Sequence, residues 1–159
     1  MKKLQFIFLT LYSCLSLQAQ DNTSRHDHSH SHDNEFSLAI GLIPNHELSL
    51  GLHAHYIKGI AFDNKIGLGL SYETIFDHHA HHSLSLIGLL RPLKQTSVAY
   101  AVGVLYVSEE QESQIQLAQH VEFAYEIPIG QYHIGPQIDI GIEDEGLHIM
   151  YGVHFGIEF

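Results

Sequence analysis

Histidine sets the chemical possibilities of this chain. Of 159 residues, 15 are histidine, and two groups of them are dense. His26, His28, His30 and His32 alternate with Asp27, Ser29 and Ser31. Further on, Asp77, His78, His79, His81 and His82 crowd into one short stretch. Neutral imidazole is the commonest metal ligand. Several imidazoles with a carboxylate suit Zn²⁺, Cu²⁺ or Ni²⁺. The first group is a tract that would bind metal by composition rather than through a preformed cage. Its other reading is a solvated linker, and that of the second group is a polar loop tip. A third set (His53, His55, His120, His133, His148 and His154, with Glu122, Glu126 and Asp139) is scattered, and takes meaning only from the elements that carry it.

Other chemistries find little support. Seven Lys and Arg stand against 18 Asp and Glu. No basic stripe exists for nucleic acid and no polybasic run for anionic lipid, so the charge favours cationic partners. There is no Gly-rich phosphate loop, nucleophile elbow or HExxH. His81 and Ser83 have a His-x-Ser spacing that a membrane-facing lipid hydrolase could use. No partner acid follows from the spacing, so no catalytic residue is assigned and the chain is not read as an enzyme.

The elements that must position these histidines begin after a leader. Met1-Lys2-Lys3 is basic, Gln5–Leu17 is mostly apolar, and Leu17-Gln18-Ala19 offers a small residue for cleavage. That order predicts a signal peptide over 1–19. A lipoprotein site at Cys14 is the alternative, and Tyr12 fits it poorly. Cys14 is the only cysteine, so the exported chain would hold no disulfide or thiolate site. Losing Lys2 and Lys3 leaves five basic against 18 acidic residues, a net charge of −13. Residues 20–35 contain no large apolar side chain and read as a disordered tail.

From Phe36 to Phe159 the apolar period is two. Segments near 36–43, 47–57, 65–76, 82–91, 97–108, 114–127, 131–142 and 146–159 are bounded by turn or polar residues. In the last, Leu147, Ile149, Tyr151, Val153, Phe155, Ile157 and Phe159 oppose His148, Met150, Gly152, His154, Gly156 and Glu158. The fourth is weakest, because Ile87 and Leu89 interrupt its polar face. Alternation does not say which face is inside. Three features put the polar face inward, as in a membrane barrel. Glycines crowd that face (Gly41, Gly51, Gly67, Gly69, Gly103, Gly141, Gly152, Gly156), which suits a narrow lumen. Basic residues Lys58, Lys65, Arg91 and Lys94 fall in turns. Tyr72, Phe76 and Tyr106 would ring one rim, and Phe36, Tyr56, Tyr100, Tyr125 and Phe159 the other.

Residues 36–159 therefore resemble the small outer-membrane β-barrels of Gram-negative bacteria. The closing run Tyr151-Gly-Val-His-Phe-Gly-Ile-Glu-Phe159 is the most specific mark. The resemblance implies an antiparallel up-and-down barrel of about eight strands in outer-membrane lipid. It also implies recognition of the last strand by the barrel-assembly machinery. Both ends, and the tail, would face the periplasm, and the acidic, His-bearing connections near 77–81, 109–113 and 143–146 would face outward.

In such a barrel the scattered histidines point into the lumen. With a turn centred on Ile129-Gly130, His120 would face Asp139 and Glu126 would face His133. Such pairs read first as lumen filling and second as metal ligands. His53 and His55 could chelate one ion, or simply pack around Gly67 and Gly69. The favoured expectation is an outer-membrane barrel that binds or buffers a divalent metal (Zn, Cu or Ni) through tail and loop, beside a metal transporter. The alternatives are a structural barrel with a His/Glu-packed lumen, and a soluble periplasmic barrel with a small ligand.

Overall fold

The structure, a computed structural model, describes residues 33–44, 48–76, 80–108, 113–143 and 146–159. The expected leader, His26, His28, His30 and His32 of the tail, and Asp77, His78 and His79 lie outside the described residues.

The strands are β1 (Asn34–Pro44), β2 (Leu48–Ala61), β3 (Ile66–Phe76), β4 (Ala80–Leu93), β5 (Thr96–Ser108), β6 (Ser113–Tyr125), β7 (Ile127–Ile129), β8 (Tyr132–Glu143) and β9 (Gly146–Glu158). Neighbours pair antiparallel, β1 also pairs with β9, and β6 pairs with β8, so the sheet closes on itself. At the β1–β9 seam the Asn34 N–H reaches the Phe159 carbonyl at 3.1 Å, and the Phe159 N–H returns to Asn34 at 2.9 Å.

β6 and β7 are one strand path broken at Glu126. The ladder to β8 stops at Ala124–Gln137 and resumes at Ile127–Ile134. Pro136 lies opposite the gap and has no N–H to donate. On its other side the strand stays paired, the Glu126 N–H continuing the β5–β6 ladder to the Gln95 carbonyl at 2.7 Å. With that break counted as one strand, the eight expected strands are present.

Two differences from the sequence reading bear on the lumen. β1 starts at Asn34, so Asn34 and Glu35 belong to the barrel rather than the tail. The β7–β8 turn sits on Gly130-Gln131, with Gly130 at φ 67°, a left-handed conformation that glycine adopts without steric cost. The later turn moves each pairing by two residues. Glu122 faces Asp139, and His120 faces Gly141. A slip of two preserves the faces, so every side chain keeps its expected side.

Exposure settles the orientation of the faces. Leu86 on the outside is 66% exposed, whereas His53 is 1% exposed and Asp139 fully buried. This is the inverse of a water-soluble barrel and the pattern of a transmembrane one. The aromatic side chains expected at the rims are all on the outer face. Tyr56 and Tyr125 turn their hydroxyls to Asn34 (2.9 Å) and Gln95 (2.8 Å), at the rim where β1 begins and β9 ends, the seam rim. Gln119 is a polar residue on the outer face, and it accepts a hydrogen bond from the Tyr100 hydroxyl at 2.7 Å.

The core is the filled lumen. Ile57, Ile87, Leu89, Ala99 and Ala101 form one apolar patch, so the two residues that break the β4 alternation have a packing role. Ile43, Ile75 and Met150 form another, and Leu105, Val107 and Ala118 a third. Met150 fits because Gly41 and Gly51 carry no Cβ; one at either position would run into its side chain. At the seam rim Arg91 reaches inward, although the sequence reading leaves it in a turn. Its guanidinium contacts Glu35 and Glu126 (Nε to Oε2, 3.3 Å) and donates to the Asn64 carbonyl at 3.3 Å.

Two outcomes test this arrangement. Leu86→Arg should lower unfolding stability in phospholipid vesicles by about 2–4 kcal/mol; a change within about 0.5 kcal/mol, normal for a water-exposed site, would contradict a lipid-facing surface. Arg91→Ala should cost about 3–5 kcal/mol, because two buried carboxylates lose their cation. Adding Glu35→Gln and Glu126→Gln to that variant should recover part of the loss in the same denaturant titration.

Candidate metal centre in the lumen

Period two delivers the polar side chains to one enclosed space. Glu35 comes from β1, His53 and His55 from β2, Glu73 from β3, and His120 and Glu122 from β6. β8 supplies His133, Gln137, Asp139 and Glu143, and β9 supplies His148 and His154, while Glu126 sits at the break between β6 and β7. All nine lumen residues expected from the sequence are buried inside the barrel. Their partners arrange them in three groups along its length.

At the seam rim, Glu35, Glu126, His133 and His154 lie around Arg91. His133 Nε2 is 2.9 Å from His154 Nε2, and His154 Nδ1 is 3.1 Å from Gln137 Oε1. The His133 ring lies over Gly156, where a Cβ would collide with it. Arg91 already supplies the cation here, and most polar atoms are matched. This group thus carries its own cation.

In the middle, Glu122 Oε2 lies 3.3 Å from His53 Nδ1 and 3.2 Å from His55 Nε2. His53 Nδ1 is also 3.2 Å from Asp139 Oδ2. His53 faces Glu73 and His55 faces Ser71 across the β2–β3 pair, so these rings do not pack around Gly67 and Gly69.

Toward the opposite rim, Glu73 meets His120 (Oε2 to Nε2, 3.1 Å) and His148 (Oε1 to Nε2, 3.8 Å). The remaining ring nitrogens also meet carboxylates. His120 Nδ1 is 3.5 Å from Asp139 Oδ1, and His148 Nδ1 is 3.7 Å from Glu143 Oε1. The His148 ring rests over Gly141, whose missing Cβ makes room for it.

The middle and upper groups hold Glu73, Glu122 and Asp139, each almost wholly buried, and the ion pairs the structure gives these three are all with imidazole. Several of the facing atoms make no hydrogen bond among the described residues. They include His53 Nδ1, His55 Nε2, Glu122 Oε2, Glu73 Oε1, His120 Nε2 and His148 Nε2. Native proteins leave few buried polar atoms in that state. In each group the donor atoms lie within 4.8 Å of one another, close enough to converge on one ion.

The histidines expected in a loop are placed differently. His81 and His82 are strand residues of β4, and consecutive strand residues point to opposite faces. His81 shares the inward face of β4 with Ser83. His82 faces out, where its Nδ1 is 2.8 Å from the Tyr72 hydroxyl. The two cannot share one ion. Ser83 is buried in the lumen, so the His81-x-Ser83 spacing presents no nucleophile to lipid. Sequence reasoning missed Glu35, Glu73, Arg91 and Glu143. All four share the odd-numbered inward parity of their strands, and that parity was the available signal.

No family model and no curated protein sequence matches the chain. Solved structures do. The outer membrane protein Ail of Yersinia pestis, in a phospholipid bilayer nanodisc, superposes with a TM-score of 0.53 at 15% identity, over 79% of this chain and 99% of that one. The N-terminal β-barrel domain of Pseudomonas aeruginosa OprF gives 0.57 at 15% identity, over 79% and 97%. Neisserial surface protein A gives 0.57 at 5% identity, over 79% and 96%. At such identities the likeness concerns the backbone alone. By its fold, this chain is a small eight-stranded barrel of the outer-membrane type.

Proposed function

We propose that the protein is an exported outer-membrane barrel that binds divalent transition metal ions of the Zn, Cu and Ni class. One observation carries the reading. Glu73, Glu122 and Asp139 are buried with imidazoles as their ion-pair partners, and nitrogen and oxygen atoms face one another without hydrogen bonds. Burying a carboxylate costs several kcal/mol unless a cation compensates it. At the seam rim Arg91 does so. Elsewhere in the lumen a divalent ion held by neutral imidazole and carboxylate fills that role.

The outlying histidines extend the reading. His26, His28, His30 and His32, on a tail at the periplasmic face, and Asp77, His78 and His79, at the outer face, are weak sites that raise the local ion concentration at either mouth. Removal of a signal peptide and assembly through the strand ending at Phe159 deliver the chain to the membrane. A neighbouring metal transporter is the natural recipient of the ion. A packed lumen is no open pore, so the role is capture and buffering rather than bulk flow.

Equilibrium dialysis of the refolded full chain against Zn²⁺ tests this. A variant with the tail and loop histidines replaced should retain about one equivalent, the lumenal ion. Further replacement of Glu73, Glu122 and Asp139 by their amides should remove it. Retention by the wild type no greater than by an unrelated barrel of this size would overturn the reading, leaving the lumen histidines as packing.

A further inference from the structure

We infer that the lumenal ion has one specific seat, formed by Glu73, His120 and His148, with Asp139 and Glu143 as positioning residues behind the two histidines. This rests on the metal-binding reading and narrows it from the whole lumen to three side chains. They come from β3, β6 and β9, so the seat exists only in the closed barrel.

Four observations, taken together, favour this group. First, both rings aim Nε2 at the same carboxylate, at 3.1 and 3.8 Å. The rings meet edge to face with centroids 5.7 Å apart. One ligand atom from each of the three side chains lies within 4.8 Å of the others, where a tetrahedral ion with bonds of about 2.0–2.1 Å would draw neighbouring ligand atoms to roughly 3.4 Å. Second, each ring has its other nitrogen beside a carboxylate at ion-pair distance, His120 Nδ1 3.5 Å from Asp139 and His148 Nδ1 3.7 Å from Glu143. A metal-binding histidine is normally oriented by such a partner, which fixes the tautomer and raises ligand basicity. Third, Glu73 Oε1, His120 Nε2 and His148 Nε2 are buried without a hydrogen bond among the described residues. Fourth, the ring of His148 is seated over Gly141, and a Cβ there would displace it.

The other two groups fit less well. In the middle group His53 Nδ1 is shared between two carboxylates, Glu122 at 3.3 Å and Asp139 at 3.2 Å, whereas each Nε2 of the chosen seat meets one. The seam-rim group already holds Arg91. Two histidines and one glutamate, with a fourth position free, form a ligand set that zinc accepts. His148 lies two residues from the start of β9, and Glu143 is the last residue of β8. The seat therefore lies toward the rim at which β8 ends and β9 begins.

The test uses the full chain, refolded in detergent. Zn²⁺ affinity is measured by competition with a chromophoric chelator, and Co²⁺ is added as a spectroscopic probe. Heat-modifiable migration checks that each variant is folded. Glu73→Gln, which keeps the shape of the side chain, and His148→Ala should each weaken Zn²⁺ binding about 100-fold or more and abolish the visible Co²⁺ bands of a four-coordinate site. Asp139→Asn and Glu143→Gln should weaken binding about 10–100-fold while retaining altered Co²⁺ bands, as positioning residues would. Gly141→Ala should weaken binding without removing any ligand. His55→Ala should leave affinity and spectrum within about threefold of wild type.

Tight wild-type binding that survives Glu73→Gln and His148→Ala would overturn this seat while leaving the metal-binding reading intact. Loss in His55→Ala with Glu73→Gln silent would move the centre to the middle group and equally overturn it. Absence of binding above background in the wild type would overturn both.

Discussion

Inside lipid every backbone N–H and C=O must find its partner within the protein, because no water is present to replace one. For strands the solution is closure. Here it is achieved by the β1–β9 seam and by the pairing of β6 with β8. The remaining features of the molecule follow from that ring of hydrogen bonds. Eight strands enclose a space that side chains can fill, and alternation assigns half of all strand residues to it. Since the outer half must be apolar, nearly every polar strand residue is forced inward. A soluble barrel would spread such charges over its surface; this one concentrates them where no bulk water screens them.

The concentration creates a problem of charge, and the lumen solves it in two ways. At the seam rim, one arginine answers Glu35 and Glu126 with a planar guanidinium that reaches both, the geometry for which arginine surpasses lysine. Farther in, Glu73, Glu122 and Asp139 meet only imidazoles in the ion pairs the structure gives them. Arginine fixes a charge permanently. Imidazole leaves it open, since it is neutral or charged according to its surroundings. The same barrel thus holds a group with its own cation at one end and an adaptable set of donors along the rest of its length.

The fold was legible because period two is a strong local signal and the inward glycines broke the tie between the two possible orientations. With that tie broken, the inward faces of His53, His55, His120, His133, His148 and His154 followed from parity. Pairing was less accessible. Whether the β7–β8 hairpin turns on Ile129-Gly130 or Gly130-Gln131 depends on a single left-handed residue and on Pro136 in the facing strand. That choice decides whether Asp139 stands opposite His120 or Glu122. His81 and His82 looked like loop ligands because the composition is polar, yet β4 extends to Ala80 and its pairing with β3 and β5 sends the two rings to opposite faces. Arg91 and Glu73 were hidden for the opposite reason. Each lies beside a turn residue or an apolar stretch, and only the closed ring brings them to their partners.

The glycines connect the mechanical and the chemical sides of this lumen. In an interior this narrow, a large ring needs a strand neighbour without a Cβ, and Gly156 and Gly141 provide that for His133 and His148. The same contact restricts rotation of the ring. An imidazole pressed onto a glycine backbone and flanked by a carboxylate has lost most of its rotamer freedom before any ligand arrives. The entropic cost of ordering a long polar side chain, about 1–2 kcal/mol for the most flexible types, is then borne by folding rather than by binding. A barrel closed by its backbone thereby acquires a preorganised set of nitrogen and oxygen donors from the packing rules that fill it.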